Sequence, residues 1–296
     1  MLDKVEALIA KLIDEVEYPK ANELFAKLSG GKRLRARLIL TIAPEAPTAP
    51  LLGAIVELIH AASLLHDDVI DESQLRRGVP SVNATEGSKT AIMLGDILYS
   101  KAFSELTSFD PAISRSIADS VTKLSVGEMM DVEMAAEFNS DRDLYLKMLY
   151  LKTATLIEAC AYSAAVLAQK DAFAHATYGK NLGLAFQIVD DILDITADEK
   201  TLGKPSLNDF VEGKTTLPYI DLYESLDENG KKRLIENHAQ VLNEEEKGWI
   251  HTQMARHSII ERSYGYARAL CDEALEAIGE DTALRAIIET VIQRSH

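Results

Sequence analysis

With 296 residues, 47% of them hydrophobic and 26% charged, the chain can bury one large core or two modest ones. A net charge of −16, from 31 basic against 47 acidic residues, argues against nucleic acid as the main partner. It also means that an anionic ligand must be met by a local basic cluster or by metal ions, because the global field repels it.

Only 6% of the residues are aromatic, while Ala, Leu, Ile and Glu abound, a mixture that favours helices. Cys160 and Cys271 lack metal-type spacing and read as buried small hydrophobes. The N-terminus has no signal-peptide core, and no run approaches the ~18 apolar residues of a membrane span. A soluble, cytoplasmic protein without a transmembrane segment is expected.

Apolar residues recur with helical period over 2–16 (Leu2, Val5, Leu8, Ile9, Leu12, Ile13, Val16), and Pro19 interrupts them. A second helical piece, 21–28, leads into Gly30-Gly31-Lys32-Arg33-Leu34-Arg35-Ala36-Arg37. Glycines before a dense positive helix start suit a phosphate, although the block taken alone reads as a solvated basic face. After a Pro-rich loop, 51–73 is a long, nearly all-apolar helix that ends in Asp67-Asp68-Val69-Ile70-Asp71. Asp67 and Asp71 share one helix face. Carboxylates set among Leu, Val and Ile call for a cation, or else form an acidic helix end that solvates itself. His60 lies two turns before Asp67 on nearly the same face, either as a satisfied core histidine or within reach of a ligand.

Arg76-Arg77-Gly78-Val79-Pro80 follows as a loop. Helices are expected at 88–107, 112–138 and 141–169, the last with Lys152-Thr153 in an otherwise apolar segment, where the lysine either snorkels or faces an interior ligand. A second acidic motif, Asp190-Asp191-Ile192-Leu193-Asp194, repeats the pattern of the first, with Gln187 on its face. The loop after it carries Gly203-Lys204-Pro205 and Gly213-Lys214-Thr215-Thr216-Leu217-Pro218, and 219–296 is helical and highly charged. No strand pattern or domain linker is seen.

Two aspartate triplets on apolar helices suggest two walls of one cavity holding cations between them. Oxygen-only ligands point to a hard ion such as Mg²⁺, which usually completes its shell with substrate phosphates. The basic elements at 32–37, 76–77, 152, 204 and 214 would neutralise the rest of the anion. A diphosphate head on a hydrocarbon tail fits such a cavity.

Along almost its full length the chain resembles the trans-isoprenyl (polyprenyl) diphosphate synthases. The resemblance rests on the two Asp-Asp-x-x-Asp motifs together with Gly30-Gly31-Lys32-Arg33-x-Arg35, Arg76-Arg77-Gly78, Gly203-Lys204-Pro205 and Gly213-Lys214-x-Thr216-Leu217-Pro218, in the family's order. It implies an all-α fold: one helical-bundle domain over 1–296 around a central apolar cavity, usually homodimeric. It also implies an enzyme that condenses isopentenyl diphosphate with an allylic diphosphate such as farnesyl diphosphate in the trans configuration.

The roles implied are as follows. Asp67, Asp68, Asp71, Asp190, Asp191 and Asp194 would bind up to three Mg²⁺, with Asp67, Asp71, Asp190 and Lys152 central to catalysis. Arg76, Lys152, Thr153, Gln187, Lys204 and Lys214 would contact the allylic diphosphate. Lys32, Arg35, His60 and Arg77 would hold isopentenyl diphosphate. Two positions depart from the family's pattern: Arg37 stands beside Ala36, near where proline is common, and Asp131 stands where glutamine is frequent.

Short-chain members typically have an aromatic residue one turn before the first motif, or two extra residues inside it. Here Ala62 and Ser63 are small and the motif has no insertion. The wording of 59–73 and the ending Ile292-Gln293-Arg294 also look like the bacterial long-chain members. A product of about C35–C45, octaprenyl as the single best choice, is therefore expected. Met129, Met130 and Val132 are candidates for the tunnel floor. A geranylgeranyl synthase, a terpene cyclase and a non-catalytic partner subunit are the alternatives, and transient membrane contact would serve product release.

Overall fold

The computed structural model describes residues 1–28, 31–76, 78–196 and 206–292. Its elements in chain order begin with α1 (Leu2–Asp14), α2 (Pro19–Lys27), α3 (Leu34–Ile42), α4 (Ala49–Ile70), β1 (Leu75–Arg76), β2 (Val79–Pro80), α5 (Val82–Glu86), α6 (Ser88–Leu106) and α7 (Pro111–Met134). They continue with α8 (Arg142–Leu149), a π-turn (Tyr150–Ala154), α9 (Thr155–Leu167), α10 (Ala172–Thr196) and α11 (Asn208–Val211). Last come α12 (Leu217–Ser225), α13 (Glu228–Asn237), α14 (Glu244–Arg256), α15 (Ile259–Ile278) and α16 (Thr282–Ile292). The all-α expectation holds. Residues 1–121 with 156–179 form one compact unit, and 122–155 with 180–296 form a second.

The first unit is built on α4, against which α1, α3 and α6 pack. α4 is apolar nearly all round because it is nearly all buried: Leu52, Ile55 and Leu58 have no exposed surface. At Gly53 the neighbours come so close that an added Cβ would stand 3.3 Å from the Ala36 Cβ and 3.4 Å from Val5. By length and composition α4 is apolar enough to cross a membrane, contrary to the reading of the sequence, but 72% of its most apolar window is buried in the chain. Its hydrophobicity is that of a core helix.

A second correction concerns 75–80. Leu75 pairs with Pro80 and Arg76 with Val79 in a minimal antiparallel hairpin. Gly78, with φ +77°, sits in its turn, a conformation that glycine adopts without strain. Alternation over two-residue strands is too short to leave a pattern in the sequence.

In the second unit, a core of Ile195, Leu207, Phe210, Tyr219, Leu222 and Leu234 holds α10 to α13 together, with the Phe210 and Tyr219 rings stacked at 4.4 Å. The helix expected at 141–169 is broken by the π-turn over Tyr150–Ala154. An inserted residue of this kind bulges the backbone and re-aims side chains, here Lys152 and Thr153. α7 lies against that bulge at Gly127, where an added Cβ would meet the Leu151 carbonyl carbon at 2.7 Å. No larger residue fits there without moving the turn. Both cysteines are buried and free, and burial pushes each thiol up to about 12.

Candidate active site

In the first unit, Asp67 and Asp68 lie in the last turn of α4, and Asp71 is its C-cap residue (φ −80°, ψ 0°). That turn contains no basic residue, so its carboxylates stand where the helix dipole is already negative. Asp68 is buried, and Arg76 of β1 places both Nε and Nη2 within 2.6 Å of its Oδ1. Burial nevertheless holds the Asp68 carboxyl above the usual range, against the pull of Arg76, and Asp71 adds to the rise. Asn83 donates to the Asp68 carbonyl at 3.0 Å and to that of Ser73 at 3.2 Å, fixing the exit of the helix. Asp68 is thus tied to the scaffold, while Asp67 is half-buried and Asp71 exposed.

The basic block opens α3. Arg33 is its N-cap in the left-handed region (φ 52°, ψ 43°), an unfavourable place for a non-glycine residue. Two carboxylates hold it there: Glu6 of α1 accepts from Nε at 2.7 Å and from Nη2 at 3.1 Å, and Glu57 of α4 lies 3.5 Å from Nη1. Glu57 also accepts from the Ala36 amide at 3.1 Å, capping α3 from the side. Lys32 is exposed on this start, Arg35 is half-buried, and His60 is half-buried on α4. Glu57 was missed in the sequence, although a clue was present: it is the one charged residue between Leu51 and Leu65. Ala62 and Ser63 are buried, and the Ser63 hydroxyl donates to the His60 carbonyl at 2.9 Å.

In the second unit, one cleft brings together Lys152, Thr153, Gln187, Asp191 and Lys214, which are scattered over more than sixty positions of sequence. A relay runs through it: Thr153 donates to the Gln187 side-chain carbonyl at 3.2 Å, and the Gln187 amide donates to Asp191 at 3.0 Å. The buried Tyr145 hydroxyl donates to the other oxygen of Asp191. Burial, with Asp209 nearby, pushes the Asp191 carboxyl up to about 8 despite those two donors. Asp194 accepts from the Asp209 amide at 3.1 Å, and Asp190 is half-buried. The two triplets are alike in this respect: the middle aspartate of each is held by the protein's own donors.

Lys152 lies 2.9 Å from Glu128 and 2.6 Å from Asp131, both on α7, and Lys214 lies 3.1 Å from Glu212. Neither Tyr145 nor Glu128 was picked out in the sequence, because each is an isolated polar residue in a helical pattern. Tyr145→Phe should leave an Asp191 oxygen short of its donor and lower the unfolding free energy by about 1–3 kcal/mol, readable in urea denaturation.

Arg77 and Lys204, together with Gly30, Gly203, Pro205, Gln293 and Arg294, lie outside the described residues. Of the candidates for a tunnel floor, Met130 is half-buried, but Met129 and Val132 are 64% and 51% exposed. They lie on the outward side of α7 in the single chain. A helix reading without its tertiary partners could not separate its two faces.

The donor set suits magnesium of a particular kind. Every candidate ligand is a carboxylate oxygen, the choice of a hard cation. Among the described residues no three His, Cys, Asp or Glu side chains are gathered to hold a metal ion alone. One or two carboxylates per ion, completed by phosphate oxygens, is the arrangement that magnesium favours.

Comparison with known proteins gives these features a family. The profile described as polyprenyl synthetase matches residues 19–253. The short chain isoprenyl diphosphate synthase of Methanothermobacter thermautotrophicus is 34% identical over 295 residues, covering 90% of this chain and 88% of that one. The crystal structure of the octaprenyl pyrophosphate synthase of Helicobacter pylori superposes with a TM-score of 0.94 at 42% identity, over all of both chains. A polyprenyl synthase from Caulobacter crescentus, crystallised with calcium and isoprenyl diphosphate, has a TM-score of 0.87 at 30% identity and covers all of this chain and 95% of that one. The chain belongs to the polyprenyl synthetase family and is a prenyltransferase.

Proposed function

We propose that the whole chain, 1–296, acts as one trans-polyprenyl diphosphate synthase domain that extends an allylic diphosphate such as farnesyl diphosphate with isopentenyl diphosphate to about C35–C45, octaprenyl as the best single product. The observation that carries the reading is the cleft where Lys152, Thr153, Gln187 and Lys214 meet beside Asp191. Two ammonium groups, a hydroxyl and an amide within one recess suit a diphosphate.

In this reading Lys152, Thr153, Gln187 and Lys214, with Arg76 and Lys204, hold the allylic diphosphate, and Lys32, Arg35, His60 and Arg77 hold isopentenyl diphosphate. Asp67, Asp71 and Asp190, with Asp194, would hold up to three magnesium ions, which when bound neutralise the departing pyrophosphate. As the allylic C–O bond breaks, charge grows on the diphosphate oxygens, and the Lys152 and Lys214 ammonium groups stabilise that charge more than the ground state. The alkene of isopentenyl diphosphate adds to the allylic cation, a new C–C bond forms, and one proton is lost. The products are pyrophosphate and an allylic diphosphate one C5 unit longer. The released pyrophosphate serves as base, so no protein nucleophile is required.

Small, buried Ala62 and Ser63 and the likeness to an octaprenyl synthase favour the long product; a C20 product is the second reading, favoured by the similarity to a short chain synthase. The enzyme works as a homodimer in the cytoplasm, touching membrane as the product leaves. Incubation with farnesyl diphosphate, labelled isopentenyl diphosphate and magnesium should yield labelled prenyl diphosphate, and chelation should abolish it. Folded protein that incorporates no label overturns the proposal.

A further inference from the structure

Lys152, a cation of the cleft, is paired with two carboxylates. Its ammonium stands between Glu128 at 2.9 Å and Asp131 at 2.6 Å, one turn apart on α7. Both carboxylates are buried, at 5% and 8% exposure, so solvent screens them poorly. One positive charge between two negative ones leaves the group negative overall, at a place where a diphosphate is to bind. The two carboxylates are not equivalent, because Asp131 lines the cleft and Glu128 does not. The backbone offers no escape: Gly127 fits α7 tightly against the π-turn at Lys152, which keeps ammonium and carboxylates in register.

We infer that Asp131 is a specificity-determining residue that weakens the hold on the allylic diphosphate by competing with it for the Lys152 ammonium. This rests on the reading that Lys152 contacts that diphosphate. A phosphate oxygen that reaches Lys152 must share its ammonium with the Asp131 carboxylate, 2.6 Å from Nζ, and then faces that negative charge at short range. The same competition loosens pyrophosphate after each condensation. An enzyme that must pass through several condensations gains from releasing pyrophosphate each time, so a weaker ground-state grip suits a long product.

The test is steady-state kinetics on the full chain with Asp131→Asn, an isosteric change that leaves Glu128 on Lys152. KM for farnesyl diphosphate and the inhibition constant for inorganic pyrophosphate should both fall about fivefold. KM for isopentenyl diphosphate should be unchanged, and Asp131→Glu should stay near the parent values. A merely structural role would raise both KM values or lower kcat alone. Lys152→Gln separates two failures. If it raises KM for farnesyl diphosphate while Asp131→Asn changes nothing or raises it too, the competition is overturned. If Lys152→Gln leaves that KM untouched, the assignment of Lys152 falls, and the inference with it.

Discussion

Asp67→Ala and Asp71→Ala should each lower kcat/KM about 10²-fold or more, while the melting temperature stays level or rises slightly. The first effect follows from the role proposed for these carboxylates as metal ligands that counter the charge of the leaving pyrophosphate. Losing one such contact costs as much as losing a single oxyanion donor, about 3 kcal/mol. The second effect follows from where they stand. They lie in the last turn and at the C-cap of α4, in a segment with no basic residue, where a negative charge opposes the helix dipole by about 0.3–1 kcal/mol. Asp71 is exposed and Asp67 half-buried, so neither removal opens a cavity. Asp68→Ala should behave differently, because Asp68 is buried on Arg76: it should lower stability as well as activity. Paired measurements of kcat/KM and thermal melting distinguish the three positions. A fall in melting temperature for Asp71→Ala that parallels its loss of activity would make that residue structural.

Ala62→Phe should shorten the product made from farnesyl diphosphate from the octaprenyl range to about C20. Ala62 stands five residues before Asp67 on α4 and has no exposed surface. If the growing chain passes this position, the ring occupies the room the tail needs, and elongation stops early with little loss of stability. If it does not, the ring must enter a close-packed core, which costs about 1–3 kcal/mol and leaves the product unchanged. Product length and melting temperature therefore answer together.

Much of this was legible in the sequence, for identifiable reasons. The helices follow from the 3.6-residue spacing of Val5, Ile9 and Leu12 and its counterparts, and the aspartate triplets stand out because charge among Leu, Val and Ile is costly without a partner. What escaped was whatever depends on contact between distant segments. Glu57 is one acidic residue until α3 is seen to rest its Ala36 amide on it. Tyr145 is one aromatic among ten tyrosines until its hydroxyl meets Asp191. The π-turn at Tyr150–Ala154 is hidden because the one-residue slip it puts into the helical period falls in a segment of small and apolar residues, where no single face stands out. Met129 and Val132 share a helix with Asp131, and only packing tells which face of α7 is inside.

Chain length of the purified product tests the central claim most directly. Farnesyl diphosphate and excess labelled isopentenyl diphosphate are incubated with the enzyme and magnesium, and the dephosphorylated products are separated by length. The account predicts an all-trans alcohol of about C35–C45 with C40 dominant. Accumulation at C20, with longer species absent at long times, would contradict it.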